Sequence, residues 1–249
     1  MACLPPSPGG SREDLGWVSV AHQPGPHPYF GAAARVRAPA SGVEHLCAEV
    51  CAWFAAVGRT EFTWWLGPHT QPTGLADALV RLDAQMDEPS TAMVLAGEPP
   101  TVSGVAVTEV TTLEDFAVYR NILFEIDDSP EDDRASVAAG LDQAWARQQD
   151  PMSRRVGFLA WLDGTAVSAG GLLFTDQGFG ALSGGATRPS ARGAGCYRAL
   201  VRARWEYARD QGSSTLVVQA SPMSRPILAG MGFTKVADLV VLRQESGSS

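Results

Sequence analysis

The sequence contains few of the residues that build metal sites or disulfide frameworks. Four cysteines and four histidines occur in 249 residues, and the cysteines form no CxxC pair and no Cys/His spacing typical of zinc. We therefore expect buried, reduced thiols and no metal. Basic residues are also scarce, since 19 Lys and Arg stand against 27 Asp and Glu, for a net charge of -8. This balance argues against nucleic acid and against an anionic membrane surface as partners.

Long apolar segments are missing as well. No stretch approaches the roughly 18 uninterrupted apolar residues that a membrane span needs. The first residues lack the basic region and apolar run that mark a signal peptide, so a cytoplasmic location is expected. The composition is nevertheless 45% hydrophobic, which supplies a core and argues against general disorder.

A short break rich in proline divides the chain near residue 100. This break, Gly97–Thr101, is polar and separates two apolar stretches. The predicted organisation is an irregular, partly mobile segment at 1–40, a small α/β domain at 41–100, a larger domain at 101–244 and a tail at 245–249. In the small domain, periodicity predicts a helix that ends at Gly58, a strand at 61–66, a second helix from Leu75 to about Met86, and a strand.

The larger domain has clearer turn signals. Asp163-Gly164 is typical of a two-residue hairpin turn, here between strands at 156–162 and 165–175. Helices are predicted at 113–126, 131–148 and 224–231, and another follows the segment 188–200 and reaches about Gln211. Further strands are predicted at 104–110, 179–187, 215–220 and 233–242. The chain is therefore predicted to be an α/β protein.

The segment from Thr187 to Arg198 leads from a strand through a glycine-containing turn directly into a helix. The first turn of a helix presents unpaired N–H groups and a partial positive charge, which together bind phosphate oxygens. Gly193 and Gly195 would let a ligand approach the backbone, and Arg192 and Arg198 would add positive charge nearby. A turn of this kind also occurs simply as a tight connection, and that alternative stays open here.

At this point the sequence resembles the GCN5-related N-acetyltransferases (GNAT family). The resemblance spans Val105 to Leu242 and rests on Pro189, Arg192, Gly193, Gly195, Ala208, Gly212 and Gly232-Phe233. In the family signature, Arg/Gln-x-x-Gly-x-Gly/Ala, Tyr197 stands where Gly or Ala is usual. The N-terminal part looks like a degenerate, partial copy of the same fold, similar to tandem members of the family.

The resemblance implies a mixed, mostly antiparallel sheet flanked by helices, with a smaller N-terminal α/β domain, and acetyl-CoA as the acetyl donor. The implied cofactor-binding residues are Ala186, Thr187, Arg192, Gly193, Ala194, Gly195, Cys196, Tyr197 and Arg198. Amides from Gly193 to Arg198 would hold the pyrophosphate, and the strand end at Ala186–Thr187 would pair with the pantetheine arm. As in the family, a backbone amide near Gly185 or Ala186 would face the acetyl oxygen.

The groups that move protons are less clear from the sequence. Leu228 occupies the position where many relatives carry a tyrosine acid, so Ser224 or water is expected to assist the leaving thiolate, although Ser224 is equally explained as a helix cap. Glu125, Asp127 and Asp128 are candidate bases, with solvated surface charge as the alternative. If they line the cleft, they favour a cationic amine.

The leading functional prediction is transfer of an acetyl group from acetyl-CoA to a primary amine by direct attack. The alternative is a non-catalytic module that binds acyl-CoA for regulation or sensing, and a third possibility is a structural interaction protein. The acceptor, a small molecule or a peptide, cannot be named from the sequence, and a homodimer remains open.

Overall fold

The computed structural model describes residues 9–25, 27–126, 139–150 and 152–247. The chain forms two compact units, the first comprising Met1–Ala92 and Val236–Ser249 and the second Met93–Lys235. Among the described residues, none of the helices is both long enough and apolar enough to cross a membrane.

The first unit contains a small sheet with helices packed against it. Its elements are β1 (Ser11–Asp14), β2 (Ser19–His22), β3 (Gly31–Ala34), α1 (Val43–Ala56), β4 (Glu61–Leu66), α2 (Leu75–Arg81) and β5 (Gln85–Met86). The strands β6 (Ser90–Leu95) and β12 (Thr234–Glu245) connect it along the chain with the second unit. β1, β2 and β3 are antiparallel, β4 is parallel to β3, and β12 is antiparallel to β4.

Aromatic side chains form the core of this unit. Phe54 of α1 stacks on Phe62 of β4 with ring centroids 4.2 Å apart, and both are fully buried beside Trp64. The predicted first helix is confirmed, including its end at Gly58, which has a φ of +74°. The second helix was predicted too long, because the chain turns at Asp83, whose φ is +67°, and continues as β5.

Three short strands lie in the segment 1–40, which was predicted to be irregular. β1 is mostly exposed and β3 reads Gly-Ala-Ala-Ala, so neither shows the β-branched, alternating pattern that marks a strand. They are held by pairing with β2 and β4, which is a tertiary effect that local propensity does not contain.

The second unit is built on a five-stranded arrangement in the order β11-β10-β9-β8-β7. Its elements are β7 (Ala106–Glu109), α3 (Leu113–Ile126), α4 (Leu141–Gln149), β8 (Arg155–Leu162), β9 (Thr165–Phe174), β10 (Gly180–Thr187), α5 (Cys196–Asp210), β11 (Leu216–Ala220) and α6 (Ser224–Gly230). All neighbouring strands are antiparallel except β10 and β11.

Helices cover both faces of this sheet. Phe158 of β8 packs in the same core as α5, whereas the next residue, Leu159, packs in the core of α3, because successive side chains of a strand point to opposite faces. The predicted hairpin at Asp163-Gly164 is confirmed, with φ of +48° and +74°. The predicted helix at 131–148 lies partly outside the described residues. The fold class, α/β with a mostly antiparallel sheet flanked by helices, is confirmed.

The two units repeat one order of elements. In the second unit the chain runs β8-β9-β10-α5-β11-α6, and in the first it runs β1-β2-β3-α1-β4-α2. In each case three antiparallel strands precede a helix and a strand that is parallel to the third. The first unit therefore has the topology expected of a partial copy.

Candidate active site

The parallel strands β10 and β11 separate soon after they meet. They pair at Gly180↔Leu216 and Ala181↔Val217, and the register contains no further pair although β10 continues to Thr187. A parallel pair that stops early leaves backbone N–H and C=O groups along an open edge. The carboxyl-terminal half of β10 therefore offers main-chain partners to a ligand.

A β-bulge interrupts β10 at this opened half. Ser183 pairs with Gly171 of β9 and Gly185 with Gly170, so Gly184 has no partner on β9, and its φ is +47°. A bulge leaves one residue outside the ladder and redirects its backbone groups. The bulge thus supplies one backbone amide, that of Gly184, outside the β9 ladder.

The chain next enters the predicted glycine turn. Gly193 and Gly195 have φ of +84° and +87°, the left-handed region that favours glycine. A Cβ on Gly193 would meet nothing within 4 Å, and one on Gly195 would meet Val102 at 3.7 Å. The glycines therefore serve the backbone conformation, and the space around their Cβ positions is open.

Helix α5 begins directly after this turn and carries no acidic residue in its first turn. Its first bond runs from the Ala199 N–H to the Gly195 carbonyl at 2.9 Å, so the amides of Cys196, Tyr197 and Arg198 precede the helical ladder. Arg198 is exposed, as is Arg192 in the turn. Together these groups form an electropositive, amide-lined surface of the kind that binds phosphate.

The ring of Tyr197 packs against Gly185 of β10, the strand that contains the bulge. A Cβ on Gly185 would lie 2.6 Å from Tyr197 Cε2, so the ring occupies the space of the missing side chain. Burial raises the pKa of the Tyr197 hydroxyl, and the positive charge of Arg204 acts in the opposite direction. The departure from the family signature is accommodated by close packing of helix on strand.

Arg204 is a buried residue of this region that the sequence analysis missed. Its side chain is 1% exposed, and it donates to the carbonyls of Leu200 at 3.0 Å and Gly171 at 3.1 Å. A Cβ on Gly170 would approach its Nη1 to 2.9 Å. The signal was present, because Arg204 falls on the apolar stripe of α5 between Leu200 and Ala208.

Cys196, Ala186 and Thr187 are already engaged within the protein. Cys196 is 1% exposed, and burial raises the pKa of its thiol. Ser168 Oγ donates to the Ala186 carbonyl at 2.6 Å and lies 2.7 Å from Thr187 Oγ1. These contacts fix the end of β10 against β9.

The candidate base Glu125 lies beside the end of β10. Arg188, which follows Thr187, contacts it with Nε at 2.8 Å and Nη2 at 3.0 Å, and also donates to the Ala166 carbonyl. Both carboxylate oxygens are thus occupied by one guanidinium. Asp127 and Asp128 lie outside the described residues.

Ser224 opens α6, a short distance along the chain from the end of β11. The Ser221 hydroxyl accepts from the Ser224 N–H at 3.2 Å, and the Ser224 hydroxyl lies 3.3 Å from Ser221 Oγ and from the Ser221 carbonyl. The Ser221 hydroxyl therefore accepts from the first N–H of α6, and the Ser224 side chain does not cap the helix. Leu228 is fully buried in the core.

The equivalent strands of the first unit remain closed. β3 and β4 pair from Ala32↔Thr63 to Ala34↔Trp65, and the Gln71 N–H then donates to the Val36 carbonyl at 3.1 Å. The Ala38 N–H donates in turn to the Gln71 carbonyl at 3.2 Å. Main-chain bonds therefore continue where β10 and β11 have parted.

The start of α1 is also unsuited to an anion. A Cβ on Gly42 would lie 2.9 Å from Trp17 Cζ3, so an indole covers the turn. Glu44 places a carboxylate in the first turn of the helix. Within the described ranges, the open, amide-lined arrangement is thus found in the second unit. No group of three or more His, Cys, Asp or Glu in those ranges could hold a metal ion.

Neither a protein-family model nor a curated protein matches the sequence. Solved structures do match. A GCN5-related N-acetyltransferase from Kribbella flavida is 17% identical, with a TM-score of 0.67 over 94% of this chain and 89% of its own. A conserved protein of unknown function from Staphylococcus epidermidis is 9% identical, with a TM-score of 0.71 over 95% of this chain and 94% of its own.

A tandem GNAT protein from the clavulanic acid biosynthesis pathway is 16% identical, with a TM-score of 0.58 over 99% of this chain and 86% of its own. At such identities the similarity is one of fold. The resemblance stated from the sequence is confirmed at that level: the chain has the fold of the GCN5-related N-acetyltransferases over nearly its whole length.

Proposed function

We propose that this protein is an N-acetyltransferase that uses acetyl-CoA to acetylate a primary amine. The observation that carries the proposal is the early separation of β10 from β11, which opens the sheet towards the amide-lined start of α5. Amides from Gly193 to Arg198, with the charges of Arg192 and Arg198, would hold the pyrophosphate. The free edge of β10 at Ala186–Thr187 would pair with the pantetheine arm.

Bound acetyl-CoA would supply a thioester, an electrophile whose thiol leaves readily because its pKa is about 8.5. The amide of the bulge residue Gly184 suits the negative charge that develops on the acetyl oxygen, since Gly184 has no partner in the β9 ladder. Cys196 is buried and its pKa is raised, so an acyl-cysteine is disfavoured. The proposed reaction is therefore direct attack of the amine on the thioester.

The charge near Glu125 bears on the acceptor. Arg188 neutralises this carboxylate at the end of β10, so Glu125 offers no net negative charge to a cationic amine. The expectation of a cationic amine therefore depends on Asp127 and Asp128. A small-molecule or peptide amine fits the proposal equally well at this stage.

Calorimetric titration with acetyl-CoA tests the binding half of the proposal. Gly193→Glu would place a carboxylate at the amide-lined turn, and Gly212→Glu is the matched control at the other end of α5. Both glycines have φ of +84° and open space at Cβ, so both variants carry the same backbone strain. We expect binding to be lost in Gly193→Glu and kept in Gly212→Glu. Absence of binding to the wild-type protein would overturn the proposal.

Release of free thiol from acetyl-CoA in the presence of an amine panel tests the transfer half. We expect release that depends on one class of amine and disappears in Gly193→Glu. Saturable binding without release for any amine would instead support the acyl-CoA sensing module. Two observations favour this second function: Arg188 pairs with Glu125, and Leu228 stands where many relatives carry a tyrosine acid.

A further inference from the structure

Three residues form a row across the sheet of the second unit on the face that α3 covers. Gly157 of β8 pairs with Gly171 of β9, and Gly171 pairs with Ser183 of β10. Register partners point to the same face of a sheet. Two of the three have no side chain, so the row is a shallow channel that ends at Ser183, one residue before the bulge.

Tyr119 of α3 lies along this channel. A Cβ on Gly157 would lie 3.3 Å from Tyr119 Cε2, and a Cβ on Gly171 would lie 2.9 Å from the Tyr119 hydroxyl. That same position on Gly171 is 2.7 Å from Ser183 Oγ. The two hydroxyls therefore converge above Gly171, and the tyrosine points towards the opened strand.

The hydroxyl pair lies at the place where a proton is needed. Ser183 is partly exposed and adjoins Gly184, the residue left without a partner on β9, and β10 has already left β11 at this point. Tyr119 is 9% exposed, and the hydroxyl of a tyrosine buried to this degree usually has a hydrogen-bond partner. No hydrogen-bond partner for either hydroxyl is found in the described parts of the chain.

Charged groups around the pair favour donation of a proton over its removal. Burial raises the pKa of Tyr119, so the hydroxyl is protonated, while Arg120, Arg204 and Arg155 act in the opposite direction. These three cations would stabilise a transient tyrosinate. The carboxylate of Glu125, further along α3, is neutralised by Arg188.

We propose that Ser183 donates the proton that the departing CoA sulfur needs, and that Tyr119 is the positioning residue. The two hydroxyls converge above Gly171 without a hydrogen bond between them in this structure, and rotation of the Ser183 side chain towards Tyr119 would form the bond that orients Ser183 and replaces its proton. The inference rests on the proposed function. Backbone amides of the bulge can bind an anion but cannot release a proton, whereas a hydroxyl can do both. The Leu228 side chain cannot act as an acid, and the Ser224 hydroxyl is hydrogen-bonded to the Ser221 carbonyl.

The proton balance of the step closes. The amine nitrogen forms a bond to the acetyl carbon and loses a proton to water, while the carbon–sulfur bond breaks. Ser183 gives its proton to the sulfur, so that CoA leaves as the thiol. Tyr119 restores the Ser183 hydroxyl and recovers its own proton from water.

A pH titration of the thiol of bound CoA tests the inference without an acceptor amine. The ultraviolet absorbance of the thiolate monitors the titration. Donors at the sulfur stabilise the thiolate, so we expect bound CoA to titrate below the free thiol, whose pKa is about 8.5. In Ser183→Ala and Tyr119→Phe the acid dissociation constant of the bound thiol should fall about tenfold. Tyr207→Phe, which removes a hydroxyl elsewhere in the same unit, should leave it unchanged.

Steady-state kinetics add a second readout. In Ser183→Ala we expect kcat to fall roughly 100-fold with KM within about threefold, and Ser183→Thr to restore most of the activity. If CoA binds normally but its thiol titrates alike in all variants, the relay is wrong and the proposed function stands. If neither CoA nor acetyl-CoA binds, both this inference and the proposed function are overturned.

Discussion

The packing of Tyr197 on Gly185 predicts a strong coupling between these two residues. A Cβ on Gly185 would lie 2.6 Å from the Tyr197 ring, closer than carbon atoms can approach. The φ of Gly185 is not in the left-handed region, so Gly185→Ala introduces the clash without backbone strain. Overpacking of this kind costs about 1–3 kcal/mol of unfolding free energy.

Truncation of the ring should remove that cost. Tyr197→Ala alone is expected to destabilise by about 2–4 kcal/mol, because most of an aromatic side chain leaves a packed position. In that background, Gly185→Ala should cost less than about 0.5 kcal/mol. The coupling free energy is then about 0.5–3 kcal/mol, compared with the roughly 0.3–0.5 kcal/mol scatter of independent sites.

Urea unfolding of the four proteins measures the coupling. With a slope of about 2 kcal/mol per molar urea, Gly185→Ala should lower the midpoint by roughly 1 M in the wild-type background and scarcely in the Tyr197→Ala background. Gly97→Ala, whose Cβ meets nothing within 4 Å and which lies outside the helices and strands, is the control without a clash. Equal destabilisation in both backgrounds would refute the claim that the glycine makes room for the ring.

Three further predictions concern charged residues. Arg59 donates hydrogen bonds to the carbonyls of Glu61, Gln23, Gly25 and His27. Arg59→Met should therefore lower the free energy of unfolding by roughly 2–5 kcal/mol. The control Arg209→Met, at an exposed site, should change it by less than about 1 kcal/mol. Arg192→Ala and Arg198→Ala should each weaken acetyl-CoA binding about three- to tenfold in calorimetry, with a smaller difference at high salt. Glu125→Gln should lower kcat less than about threefold, because Arg188 already occupies both oxygens, and a loss of 100-fold would instead identify Glu125 as the base.

The elements with strong local signals could be predicted from the sequence. Asp163-Gly164 specifies a hairpin by turn chemistry, and Gly193 and Gly195 mark a turn that needs left-handed backbone. Strand β4 was predicted at its observed bounds because it combines aromatic and β-branched residues before Gly67-Pro68. These signals lie within a few residues of the structure they produce.

Features that depend on distant residues could not be predicted in this way. Tyr119 reads as a core aromatic of a helix, and only strand register brings Ser183 and Gly171 to its hydroxyl. The ion pair between Glu125 and Arg188 likewise joins residues far apart in the chain. Its geometry changes the expected role of Glu125, which periodicity and charge pattern alone cannot reveal.

The most direct test of the central claim is hydrogen exchange of backbone amides with and without acetyl-CoA. We expect added protection at 184–187 and 193–200 in the second unit, where β10 is open and α5 begins. The corresponding segment of the first unit, 36–46, should exchange unchanged, because its strands are closed and Trp17 covers its turn. Protection at 36–46, or no protection at 193–200 at saturating acetyl-CoA, would contradict the account.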